Sequence, residues 1–166
     1  MKNNSLKSGF TIIEVIVILF VMSMGLIGVL SLIVQNIQSQ SYNKSNLIAY
    51  QLAQEGVELI RKVRDSNWRA GLPYDDKLAD GQYFMDYTDT APQAHNSANP
   101  DELILRKDAS DFYTNNPLEM NQTIFSRLIT IAAVDSSALR VVVTISWSET
   151  GRNYNYDLET ILYNWR

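Results

Sequence analysis

Val15 to Val34 is a run of twenty residues, VIVILFVMSMGLIGVLSLIV, without one charged side chain. As an α-helix rising ~1.5 Å per residue it would measure ~30 Å, one bilayer core. Its apolar residues leave no polar face, and twenty of them exceed what a small domain can surround, so the run reads as a membrane helix. Ser23, Gly25, Gly28 and Ser31 do not disturb that reading, because small residues are common in such helices. One acid, Glu14, sits at the edge of the run. A charge at that depth costs free energy unless something neutralises it.

Lys2 and Lys7 precede the run, so the positive-inside rule keeps the N-terminus in the cytoplasm and sends the rest outward. A cleaved signal peptide would have a shorter apolar region ending in small residues at an Ala-x-Ala-like site. Here the run ends in IVQNIQSQSYN, and the segment is expected to stay on the mature chain. Ser8-Gly9-Phe10 lies on the other side, just before the apolar run. A cut after Gly9 would remove the basic leader and expose a new amine at Phe10, four residues from Glu14. Residues four apart share a helical face, and an α-amino group of pKa ~8 is mostly protonated at neutral pH. That cation could meet Glu14 in the same chain or in a neighbour, and a paired charge out of water costs far less than a lone one.

Gly9-Phe10-Thr11-Ile12-Ile13-Glu14-Val15, after a short Lys-containing leader and before a long apolar helix, resembles the processing site of type IV prepilins and pseudopilins. The resemblance is specific over residues 1–34 and weaker beyond. It implies cleavage after Gly9 by a prepilin peptidase, N-methylation at Phe10 by the same enzyme, and subunit assembly through Phe10 and Glu14. The partners it implies are other pilin subunits, the peptidase/methyltransferase, an inner-membrane assembly platform, and membrane lipid before assembly. The implied location is a single pass of the inner (cytoplasmic) membrane with the C-terminal head outside, then a cell-surface filament. Many type IV pilins carry a proline in the membrane part of this helix; this chain has none before Pro73, which leaves Gly25 and Gly28 as its flexible points.

After Val34 the helical pattern continues while polarity rises. Ile48, Leu52, Gly56, Ile60 and Arg64 recur at four-residue intervals with Ala53, Val57 and Val63 beside them, one amphipathic face. Glu58 and Lys62 are spaced for an i,i+4 pair. The domain reading is therefore a leader at 1–9, a membrane or filament-core helix at 10–34, an amphipathic helix at 35–68, and an extracytoplasmic head at 69–166. In the head, residues 124–133, 139–147 and 154–165 are rich in β-branched and aromatic side chains and read as strands. Val141, Val143, Ile145 and Trp147 share one face of the middle strand, and VDSSA and SETGR read as the hairpin connections. Phe112-Tyr113 adds a short strand. The density of Gly, Pro, Asn and Asp between 69 and 122 reads as loops. The expected fold is α+β: a long N-terminal helix packed on a small antiparallel sheet, as in a pilin head.

Composition narrows the function classes. The chain has no cysteine among its 166 residues, so disulfides, thiolate chemistry and Cys-zinc sites are absent. A net charge of −4 disfavours direct nucleic-acid binding. His95 is the sole histidine and reads as a solvated loop residue. Asp75, Asp76 and Asp80 invite a calcium reading but lack EF-hand spacing and its closing glutamate. No phosphate loop, GxSxG or HExxH occurs, and nothing points to a cofactor or to catalysis. Trp68, Trp147 and Trp165 read as core or rim residues. The expected function is a structural subunit, a minor pilin, of a type IV pilus or related filament. The alternatives are a pseudopilin of a secretion or DNA-uptake system, and a signal-anchored extracytoplasmic binding domain that does not polymerise.

Overall fold

The structure, a computed structural model, describes Gly9 and residues 11–165. Phe10, the site of the expected cleavage and methylation, lies outside the described residues. Among the described residues one α-helix, α1, spans Ile12–Ala70, and a short 3-10 turn spans Pro100–Leu103. Seven strands follow: β1 Gly81–Phe84, β2 Gln93–Ala94, β3 Ile104–Lys107, β4 Tyr113–Thr114, β5 Asn121–Asp135, β6 Ala138–Glu149 and β7 Arg152–Tyr163. The chain divides into two compact units between Asn43 and Lys44.

The first unit is the apolar part of α1, and none of its residues from Ile12 to Asn43 is buried. This stretch is long and apolar enough to cross a membrane. Thr11 caps the helix: the Glu14 backbone N–H donates to Thr11 Oγ1 at 3.3 Å and to Thr11 O at 3.1 Å. Thr-x-x-Glu is the capping-box spacing, which satisfies an orphan first-turn donor. The other end of α1 stops in an αL cap. Gly71 has φ 73°, its N–H donates to Trp68 O at 3.2 Å, and the Leu72 N–H donates to Asn67 O at 3.0 Å. Those two bonds are the Schellman pair, and the positive φ is why a glycine stands there.

In the second unit the remaining turns of α1 pack on an antiparallel sheet. β5 is its central strand, with β6 along one edge over nearly its whole length. The other edge of β5 is shared, β1 pairing at Ile129–Ile131 and β3 at Asn121, Gln122 and Ser126. β7 pairs with the far side of β6, β2 with β1, and β4 with β3. The expected alternation in β6 holds: Val141, Val143, Ile145 and Trp147 are buried, and Val142, Thr144 and Ser146 only partly so. They meet Leu52, Ala53, Val57, Ile60 and Val63 of the helix in one core. Gly56 sets the closest approach, because a Cβ built there would lie 2.8 Å from Val143 Cγ1 and 3.3 Å from Arg127 Cδ. Burial along the helix begins at Ser45, ten residues beyond the point where polarity starts to rise.

Several expectations need correction. The sheet has seven strands rather than three with one short addition, and residues 69–122 are not all loop: β1, β2, β3 and β4 lie there, with Leu105 and Met85 fully buried. These strands are only two to four residues long, too short to show a period of two between turn-forming residues. Phe112 stands just outside β4, which begins at Tyr113. The hairpin within SETGR is tighter than its five residues suggest. Glu149 pairs with Arg152, and Thr150 and Gly151 turn at φ 51° and 75°, the two positive values of a type I′ turn. Glu58 pairs with Arg61, not with Lys62.

Candidate functional site

Glu14 is exposed in the first turn of α1. Negative charge there is favoured by the helix dipole, by about 0.3–1 kcal/mol. Gly9 is also exposed, and a Cβ built on it meets none of the described residues within 4 Å. The three residues singled out in the sequence are thus neighbours along the chain at a helix start, and Gly9 and Glu14 are accessible.

The head holds a second site that motif reading missed. Asp86 follows the end of β1 and is 4% exposed. Its carboxylate accepts four hydrogen bonds. Oδ1 takes the Thr88 N–H at 2.8 Å and the Thr88 hydroxyl at 2.6 Å. Oδ2 takes the Asn115 N–H at 3.1 Å and the Thr114 hydroxyl. Burial pushes the Asp86 pKa up, but the bonds from Thr114, Thr88 and Asn115 outweigh it, and the carboxyl lies below its ordinary 3.8. The carboxylate therefore ties the β1 end to β4, across 28 residues of sequence.

Beneath this hub lies Arg127, fully buried in β5. Its Nη2 donates to Met85 O at 2.7 Å, and its Nη1 donates to Leu52 O at 3.3 Å and faces Glu55 Oε2 at 3.3 Å. One guanidinium thus joins the helix, the central strand and the residue before Asp86. Burial lowers its pKa, and Glu55 opposes that most strongly. A signal for Arg127 was present in the sequence: it is in phase with Phe125, Ile129 and Ile131, so strand alternation places it inward.

Around Asp86 the loops enclose a cleft of about 600 Å³. Six acids line it (Asp86, Asp89, Asp101, Glu102, Asp108 and Glu119), and among the described residues no lysine, arginine or histidine does. Four of the acids are engaged locally. Besides Asp86, Asp89 accepts from the Asp86 N–H and from Gln93, at 2.9 and 2.8 Å. Glu102 accepts from the Asn96 N–H at 3.2 Å and from Asn99 at 3.0 Å. Asp108 accepts from the Ser110 and Phe112 N–H groups and the Tyr87 hydroxyl. Asp101 is exposed and Glu119 partly so at the rim.

Asn115, 6% exposed, also lines the cleft. Its Nδ2 donates to Glu102 O at 2.9 Å, which fixes the amide orientation, since the reverse would set two oxygens face to face. Among the described residues its Oδ1 accepts no hydrogen bond. Such an orphan costs about 1–3 kcal/mol.

His95 departs from the reading of a solvated residue: its side chain is 7% exposed and its Nδ1 lies 3.3 Å from Glu102 Oε2. Asp80 spends one oxygen on the Ala133 N–H at 2.6 Å. Among the described residues no group of three or more His, Asp or Glu is arranged to hold a metal ion. Trp147 is core, stacked on Tyr154 at 5.5 Å, while Trp165 is a rim residue 4.6 Å from Trp68.

The Asp86 hub makes stability depend on acid. Because the folded-state pKa lies below 3.8, its contribution is complete above pH ~4 and is lost as pH falls through the folded value. Asp86→Asn is expected to cost about 2 kcal/mol at neutral pH, from weakened charge-assisted bonds. The gap between parent and variant is expected to close below pH ~4 in denaturant titrations. Equal stability at pH 7 would refute the hub.

The chain matches no protein-family model, no curated protein and no solved structure. The fold itself is α+β, one long N-terminal helix packed on an antiparallel sheet.

Proposed function

We propose that this chain is a structural subunit, of the minor-pilin kind, of a type IV pilus or related filament. A prepilin peptidase cuts it between Gly9 and Phe10 and methylates the Phe10 amine. Before assembly the chain is held in the inner membrane by the apolar run, with its head outside the cytoplasm. The assembly platform then moves it into a surface filament, where Phe10 and Glu14 of neighbouring subunits pair. Its role is structural rather than catalytic.

One observation carries this reading: a Gly-Phe junction and a lone acid stand at the start of a 59-residue helix whose first thirty-two residues have nothing packed over them. Within the apolar run, that uncovered surface calls for lipid or for the same helix of other subunits.

Intact-mass analysis of the membrane-extracted protein tests it. The mature chain is expected to begin at Phe10 with an added methyl group. Its net charge is then −6, because Lys2 and Lys7 leave the 14 basic residues and all 18 acids remain. Gly9→Val is expected to abolish processing while leaving the head folded, since a Cβ at this position meets none of the described residues within 4 Å. A parent mass that includes residues 1–9 sinks the proposal.

A further inference from the structure

The Asp86 cleft is a recognition surface as well as a structural knot. We propose that it docks a basic segment of a partner protein, with an arginine or lysine entering between the loops and neighbouring apolar residues seated on the rim. Three observations carry this. The first is charge: among the described residues six acids and no cation line the cleft, which is complementary to a positive segment. The second is the Asn115 side-chain amide, buried in the lining with its Nδ2 donating to Glu102 O and, among the described residues, its Oδ1 unmatched. An unmatched acceptor calls for a donor, and a guanidinium brings several in a fixed fork.

The third is the rim. Leu118 and Met120 flank Glu119 and are 85% and 96% exposed. Phe112 is 61% exposed and packs on Tyr87, itself a lining residue, with ring centroids 5.5 Å apart. Apolar side chains this exposed around a polar cleft mark a contact surface. Their mixture with acids favours a peptide over a bare ion, because a metal ion makes no use of an apolar rim.

The test uses the full chain in nanodiscs of zwitterionic lipid, with empty nanodiscs as blank. The probe is a fluorescent peptide of alternating arginine and leucine, read by anisotropy. Asp101→Asn with Glu119→Gln, and separately Leu118→Ser with Met120→Ser, are each expected to weaken binding roughly tenfold. Asp101 and Glu119 line the cleft and Leu118 and Met120 flank Glu119; the loop hydrogen bonds at these four positions come from the backbone, which the substitutions keep. Glu58→Gln with Glu159→Gln removes the same charge from another surface and is expected to leave affinity unchanged. Raising salt from about 50 to about 300 mM is expected to weaken the parent and to affect the Asp101/Glu119 pair less. Equal loss in the control pair would show general charge attraction, and no loss in either rim pair would place the peptide elsewhere. Displacement of the peptide from the parent by calcium alone at millimolar concentration would make the cleft an ion site. Each of these three results overturns the proposal. Its failure leaves the filament reading intact, since the mass of the processed chain does not depend on the cleft.

Discussion

Ile60→Asp is expected to unfold the head. Ile60 is fully buried where α1 lies on the sheet, in the cluster with Val57, Val63, Val143 and Ile145. Losing its burial costs about 1.5–3 kcal/mol, and a carboxylate left unpaired in that core costs several more. A domain of this size has only about 5–15 kcal/mol in hand. The sum is therefore a large share of the whole. The fragment from Ser39 onward is expected to be soluble and folded as the parent, because the sheet uses the helix only from Ser45. Tryptophan fluorescence during denaturant unfolding reports the outcome through buried Trp147. Lys62→Asp, exposed on the same helix, is the control and is expected to change stability by about 0.5 kcal/mol or less. If Ile60→Asp melts with the parent, the helix–sheet packing is wrong.

Glu14→Ala is expected to keep the chain in the membrane and out of the filament. Two effects oppose each other in the membrane-held chain. Alanine removes a carboxylate that the helix N-terminus favours by about 0.3–1 kcal/mol, yet it also removes a charge from the bilayer edge, which eases insertion. The Thr11 cap survives, since it receives the backbone N–H of residue 14. In the proposed filament the balance is different. Burying the neighbour's amine without its counter-charge costs about 3–5 kcal/mol, far more than the dipole term. The share of this protein in sheared filaments, relative to the membrane fraction, is expected to fall at least about tenfold. Processing after Gly9 should continue. An unchanged ratio would reduce Glu14 to an interfacial acid at a helix start.

The helix was legible because its signals are local. Twenty apolar residues, an unbroken helical period and the lack of any proline before Pro73 set its extent to within two residues with no help from the rest of the chain. The three long strands were legible for the same reason, because twelve or more residues give alternation room to repeat. Even there the strands run two or three residues past most of the expected ends, since ladder pairing with a neighbour outweighs weak local preference. Between 69 and 122 local signals failed. β1 and β3 exist because the two halves of one edge of β5 each need a partner, and no residue within those short segments announces that.

The candidate sites divide along the same line. Gly9, Phe10 and Glu14 form a linear motif, so their spacing along the chain was itself the information. Asp86, Asn115 and Arg127 could not be found that way. Asp86 and Thr114 are 28 residues apart, and Arg127 and Leu52 are 75 apart. Asp86 looked like one loop acid among many, and His95 like a solvated loop residue, until the fold carried each to its partner. What the sequence by itself determined is what depends on composition and period within one stretch: the apolar span, the helix and its stops, the inward face of β6, and the motif at the helix start. Tertiary structure decided which edges pair, which acid became the buried knot, and where the orphan amide stands. Those outcomes turn on burial and hydrogen-bond satisfaction between distant segments, and neither quantity exists until the chain has closed on itself.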